Sequence, residues 1–387
     1  MSKFGLLLLQ SAQEKQQIST VKPDLIWLTE CDALFVGCLP VFRSTDFLDQ
    51  HTIIGYTTSI LFYAIALYFS TELIHMNFTD FATAMRTNVS QVIIGKDAAI
   101  ELLLVALLCD GHVLLEDVLG VGKTTLAKAL ARSIDSSFSR VQFTPDLLPS
   151  DVTGINYFNQ KKQNFEFRPG PIFSQVLLSD EINRATPRTQ SSLLEAMQEK
   201  QVTVDGETYP LPQPFMTIAT QNPIELEGTF PLPEAQLDRF LLQVKLGYPG
   251  LEEEEEILLR YKNKDPLVNM QPVATADQVV ALQEQVRAIH VSDDVRRYLL
   301  EIVRSTREHE SAELGVSPRG TLALYHASQA LAALRGRDYV IPSDVQHLCP
   351  PLLTHRIHIS PQTRLRGRTP LQIVAEIAES IPVPVVS

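Results

Sequence analysis

The sequence predicts an α/β domain, a parallel five-stranded sheet flanked by helices, followed by an all-α domain. Three observations carry this. Between residues 76 and 249, short apolar runs of strand character alternate with helix-like runs, as a parallel sheet with crossover helices demands. An apolar run around Leu114 and Leu115 passes through a turn holding Gly120 and Gly122 into a helix-like stretch, residues 126–132. Beyond residue 249, helical spacing dominates to the end of the chain.

The elements follow in order. Residues 1–75 differ from the rest: residues 52–71 carry no charge and are just long enough to cross ~30 Å of hydrocarbon. Interspersed Thr, Ser and Tyr, and flanks without a Lys/Arg cluster, count against a span. A shorter apolar run, residues 4–9, follows Lys3 without a small-residue cleavage site. Three readings compete: a membrane anchor, a loosely packed appendage, and a stretch upstream of a misassigned start. The third is favoured, because Met76 opens what reads as an ordinary domain start. Residues 97–109 read as a helix, 112–116 as the first strand, and 123 to about 133 as the next helix. Further strands are read at 140–143, 176–179, 216–220 and 240–244, with a helix over 191–199 from the spacing of Leu193, Leu194 and Met197. Residues 154–167 suggest a hairpin, as do 201–212 around Asp205-Gly206. Such hairpins are either surface decoration or a grip for a partner.

After Pro249-Gly250, the acidic run Glu252–Glu256 suits a solvated helix start. Helices are expected at 277–288, 293–308, 321–334, 342–353 and 370–380, with a strand-like 338–341 before Pro342. The expected domains are therefore 1–75, 76–249 and 250–387. With 387 residues, 45% hydrophobic and 20% charged, the chain can bury a substantial core. Its net charge of −12 argues against a surface that neutralises nucleic-acid phosphates, although Arg364, Arg366 and Arg368 form a local basic cluster. Cys31, Cys38, Cys109 and Cys349 lack C-x-x-C spacing, so neither zinc nor a disulfide framework is indicated and a reducing cytoplasmic compartment fits.

The chemistry concentrates in two segments. Residues 117–125 approach the pattern G-x-x-x-x-G-K-S/T, with Asp117 in the first glycine position. Gly120 and Gly122 let consecutive N–H groups, with that of Val121, point at phosphate. Lys123 suits the β- and γ-phosphates, and Thr124, followed by Thr125, offers a hydroxyl to Mg2+. Residues 176–179 form an apolar strand delivering Asp180 and Glu181 at its carboxyl end. Asp180 would hold Mg2+ and Glu181 would act as general base on water; the bland alternative is a strand followed by an N-capping acid. Asn222 ends another apolar strand, where it can orient water or meet the γ-phosphate, though Asn-Pro is also an ordinary turn starter.

Together with Ile94-Gly95, residues 180–185, 190–199 and 219–223, and the stretch 227–240, these segments make the chain resemble the MoxR family of AAA+ ATPases over residues 76–385. Asp117 is common at its position in that family, whereas Leu119 replaces a frequent proline. The resemblance implies ATP and Mg2+ as cofactors, with Ile94 and Gly95 lining an adenine pocket. It implies Asn222 as first sensor, Arg239 as an arginine finger reaching a neighbouring nucleotide, and Arg319 as second sensor on a helical lid. Arginine suits both tasks because its planar, permanent charge pairs with phosphate oxygens. Arg184 and Arg188 are rival fingers; for Arg239 and Arg319 the bland readings are an ion-paired surface residue and a helix-start packing residue. The resemblance further implies a ring, a hexamer, with both hairpins facing its pore, and protein clients that include von Willebrand factor A domain proteins. Two other functions compete. A nucleic-acid motor is opposed by the net charge and by a hairpin tip with only Lys161 and Lys162. A nucleotide-gated scaffold without turnover is opposed by Lys123 and Glu181.

Overall fold

Five short strands, the inner ones largely apolar, build the centre of the molecule. The computed structural model describes residues 76–118, 120–222, 228–262 and 264–384. The apolar stretch at 52–71 and Leu119 lie outside them. Strands β1 (Val113–Glu116), β2 (Phe138–Gln142), β5 (Val176–Asp180), β8 (Met216–Gln221) and β9 (Leu242–Val244) form a sheet of order β2-β5-β8-β1-β9. Every pairing is parallel, with Leu115 opposite Thr220 and Leu178 opposite Ile218. The inner strands β1, β5 and β8 are buried on both faces, which is why they read as nearly continuous apolar runs, whereas the edge strand β2 exposes Arg140 and Gln142.

The period-2 alternation sorts their side chains to two faces. Val113, Leu115, Val176, Leu178, Met216 and Ile218 share a core with helices α1 (Phe78–Ser90), α2 (Asp97–Leu108) and α3 (Lys123–Ser133). Leu114, Leu177 and Ala219 face the other way, against Leu193, Leu194 and Met197 of helix α4 (Pro187–Glu199). Helix α1 is not among the sequence expectations. Its signal is the spacing of Phe81, Met85 and Val89, all buried, behind the N-cap Asn77.

Two hairpins interrupt this core: β3 (Gly154–Asn159) with β4 (Asn164–Pro169), and β6 (Gln201–Val204) with β7 (Glu207–Pro210). The second turns on Asp205 and Gly206 with φ of 51° and 88°, as a tight primed turn requires.

The remaining chain is mostly helical: α5 (Leu251–Tyr261), α6 (Ala276–Gln285), α7 (Asp293–Glu308), α8 (Pro318–Leu334), α9 (Pro342–Leu353) and α10 (Pro370–Ser380). Leu299, Leu324, Leu348 and Ile373 join the same core as the α1–α3 face of the sheet, so α7–α10 are built onto that face. The structure adds one feature to the helical expectation, an antiparallel pair β10 (Ala312–Leu314) and β11 (His358–Ile359). It also corrects one expectation: residues 338–341 form no strand. The segment makes a single bridge, His290 to Tyr339, because its partner is only the short link between α6 and α7. No helix among the described residues is long and apolar enough to cross a membrane.

Candidate functional site

Parallel strands deliver their carboxyl ends to one edge of the sheet, and the loops there hold most of the sequence-derived candidates. The loop after β1 begins with Asp117. Its Oδ2 accepts from the backbone N–H groups of Leu246 (2.7 Å) and Gly247 (2.6 Å), and its Oδ1 from that of Val118 (2.8 Å). The carboxylate thus fastens the loop to the chain leaving β9, a task that glycine cannot do. Gly122 takes φ 93° and caps α3 without a side-chain bond. A Cβ there would meet only Ile93 Cδ1 at 3.9 Å, so the backbone angle, not crowding, demands glycine. The positive end of α3 and Lys123, which is 8% exposed and donates from Nζ to Asp117 O at 2.7 Å, make this loop fit for a phosphate chain. Val121, Thr124 and Thr125 are partly exposed along the same turn.

Asp180 closes β5, which is separated from β1 by β8 alone, about 10 Å across at the usual strand spacing. Its Oδ1 accepts from Thr220 Oγ1 (2.5 Å), and its Oδ2 from Arg140 Nη2 (2.7 Å) and Nε (3.1 Å). Glu181 follows in the left-handed region, φ 56° and ψ 50°, with its N–H donating to Thr220 Oγ1 at 2.8 Å. Such a backbone costs a non-glycine residue of order 1 kcal/mol, and positions that carry it cluster at functional sites. Gln142 Nε2 (2.8 Å) and Arg184 Nε (3.0 Å) hold the Glu181 carboxylate. Asn222, buried, follows β8 between these acids and the loop. Thr220, Arg140 and Gln142 stand in the expected strands but were not among the candidate site residues. Only the pairing of β2 and β8 with β5, Gln142 opposite Asp180 among them, brings them to the acids.

Ile94 is buried, and a Cβ on Gly95 would lie 1.8 Å from Glu253 Oε1, so this segment packs against the start of α5. Lys96 also ties it there, 3.6 Å from Glu253 Oε2 and 3.1 Å from Tyr248 O. Ile93 sets the segment beside the phosphate-fit loop.

The arginines divide between the two edges. Arg184 is bound to Glu181, and exposed Arg188 opens α4, both on the loop's side. Arg239 instead precedes β9, where Leu241 N donates to His112 O at the amino end of β1. The length of β1, about 13 Å for its residues, separates that edge from the loop. Arg319, on the first turn of α8, joins Arg239, Gln198 and Arg356 around a cleft of ≈220 Å³ at this amino edge, and donates to Gln198 Oε1 at 3.3 Å. The structure therefore brings Gly120, Val121, Gly122, Lys123, Thr124, Thr125, Asp180, Glu181 and Asn222 together, and sets Arg239 and Arg319 apart from them as a pair.

The family model for the ATPase family associated with various cellular activities (AAA) matches residues 112–242, and that for the AAA lid domain matches 304–377. An uncharacterized protein of Bacillus subtilis, YeaC, is 51% identical over 298 residues, 77% of this chain and 93% of its own length. The chaperone MoxR1 of Mycobacterium tuberculosis is 41% identical over 308 residues, 77% of this chain and 81% of its own. A Cytophaga hutchinsonii crystal structure, of a protein assigned as an ATPase, is 37% identical with a TM-score of 0.75, covering 80% of this chain and 96% of that one.

Proposed function

We propose, for a chain that belongs to the MoxR family of AAA+ ATPases, Mg2+-dependent ATP hydrolysis in a ring of identical subunits that remodels protein clients. One observation carries the ring: the nucleotide half-site and the arginine pair occupy opposite ends of the same strands. An arginine about 13 Å or more from its own phosphate loop is suited to a neighbour's nucleotide, and a repeated head-to-tail contact of this kind gives a ring when its rotation closes, as the family likeness implies here. Six subunits are inferred from family likeness.

In this reading the turn of Gly120, Val121, Gly122 and Thr125 cradles the phosphates, and Lys123 neutralises them. Ile94 and Gly95 bound the adenine side. Thr124 and Asp180 would hold Mg2+; bound there, it offsets charge on the triphosphate. The donor set fits, since Mg2+ commonly takes one or two protein oxygens and fills the rest from phosphate and water. Glu181 holds a water by hydrogen bond and takes its proton as it attacks, while Asn222 fixes the water's direction. Arg239 and Arg319 supply positive charge to the neighbour's γ-phosphate, worth 10³–10⁵ in rate where such fingers act.

Protein clients are favoured over nucleic acid by the β3–β4 hairpin. It exposes Ile155, Tyr157, Phe158 and Phe165, while Lys162 is neutralised by Glu166 at 2.6 Å. The relative MoxR1 carries the name chaperone, and family likeness extends the client class to von Willebrand factor A domains. The test is steady-state ATPase assay of Lys123→Ala and Glu181→Gln. Lys123→Ala should lose ATP binding, whereas Glu181→Gln should bind ATP but turn over at least 100-fold more slowly. Wild-type turnover by Glu181→Gln overturns the assignment, and stimulation by DNA instead of protein turns the partner reading toward nucleic acid.

A further inference from the structure

Outside the nucleotide site, the most heavily bonded charged group among the described residues is Arg356, whose side chain is 2% exposed. Its guanidinium donates to Asp238 Oδ1 (2.8 Å), Asp238 O (3.3 Å), Phe240 O (2.6 Å), Leu241 O (3.0 Å) and Leu352 O. Four of these five bonds grip the segment 238–241, which contains Arg239. The other Asp238 oxygen, Oδ2, accepts from Ser317 Oγ at 2.8 Å. Ser317 is the N-cap of α8 and also receives the N–H of Gly320, so it sits two residues before Arg319 in the same first turn. A Cβ on Gly320 would lie 3.0 Å from Arg356 Cδ, which leaves that helix start no slack against the buried guanidinium. One carboxylate therefore ties the segment bearing Arg239 to the helix bearing Arg319.

We infer that Asp238, clamped by Arg356 and Ser317, is a positioning residue that locks Arg239 and Arg319 into one rigid unit for joint delivery to the neighbouring nucleotide. The inference rests on the trans role proposed for these two arginines. Its physical basis is geometric. Three guanidinium groups, Arg239, Arg319 and Arg356, border one small cleft with two carboxylates, Asp110, which pairs with Lys200, and Asp238, which holds Arg356. Without the tie, mutual repulsion and long side chains would splay the two outer arginines. Small displacements of charge-stabilising groups cost rate far more than they cost ground-state binding. Asp238 also couples the arginines to the helical lid, since Arg356 and Ser317 both belong to it by sequence position.

The experiment uses the full-length chain and a mild variant. Ser317→Ala removes one bond to Asp238 and leaves the Arg356 contacts intact; Ser317→Thr keeps the hydroxyl. Expected for Ser317→Ala is a five- to twenty-fold fall in kcat, a KM for ATP within two-fold of wild type, an unchanged oligomer by sedimentation, and recovery to within three-fold in Ser317→Thr. A helix cap with no positioning role would lower the melting temperature and leave kcat in place, which overturns the proposal. Arg239→Ala and Arg319→Ala serve as controls. Should both retain full kcat, the trans reading itself fails. Should both lose it while folded Ser317→Ala and Asp238→Asn retain it, only the positioning role fails.

Discussion

At the scale of single residues, the buried imidazole of His112 makes a pH-dependent prediction. Its Nδ1 accepts from Thr217 N–H and its Nε2 donates to Met197 O, both at 3.0 Å, an arrangement available only to the neutral ring. Burial pushes its pKa down to about 4. In the unfolded chain the ring titrates near 6.5, so above that pH neither state binds the proton and no stability is lost. Between ~6.5 and ~4 the unfolded state binds it preferentially, and stability falls as pH falls. From pH 7 to pH 5 the loss from His112 is about 2 kcal/mol. Buried beside Arg356, His355 is shifted the same way and adds to it. Urea unfolding of His112→Gln should show a visibly smaller drop between those pH values; an identical drop would exclude His112 as a source. Residue-level legibility was uneven. Lys123, Asp180 and Glu181 announce themselves because their chemistry needs fixed residue types at short spacing. Arg356, His112 and Thr220 do not, because each acquires meaning only from partners many residues away.

Secondary elements were more readable than their junctions. Helices 293–308, 342–353 and 370–380 match the sequence reading end to end, since Ser292, Pro342 and Thr369-Pro370 mark their starts plainly. Strand β9 is shorter than its apolar run, because Phe240 belongs to the second core and its carbonyl to Arg356. The β3–β4 hairpin was legible as a hairpin, while its display of aromatic surface required the fold. Phe165 is 72% exposed and its ring packs edge to face on the half-exposed Phe158, so its loss should not unfold the protein. Phe165→Asp is expected to change stability by no more than about 0.5 kcal/mol and basal ATP turnover by less than two-fold, while abolishing stimulation by a protein client. Retained stimulation would remove the hairpin from the client surface.

For the whole molecule, the separation of the loop edge from the arginine edge predicts complementation between inactive variants. Arg239→Ala retains an intact nucleotide half-site, and Lys123→Ala retains an intact arginine pair. Mixed in equal amounts and allowed to exchange, they should regain about a quarter of wild-type turnover, the share of contacts joining the two intact halves at random. Assembled mixtures that stay silent would count against an arginine acting across subunits. This level was the least legible in sequence. Arg184, Arg188, Arg239 and Arg319 all stood as candidates, and strand polarity distinguished them by putting the first two on the loop's side and the last two at the far end. On the proposed roles, that polarity has a cellular corollary. A newly made or stray copy carries both halves of a reaction centre facing in opposite directions, and so idles. Fuel consumption then tracks how many copies have found one another, and overproduction beyond that point drains nothing.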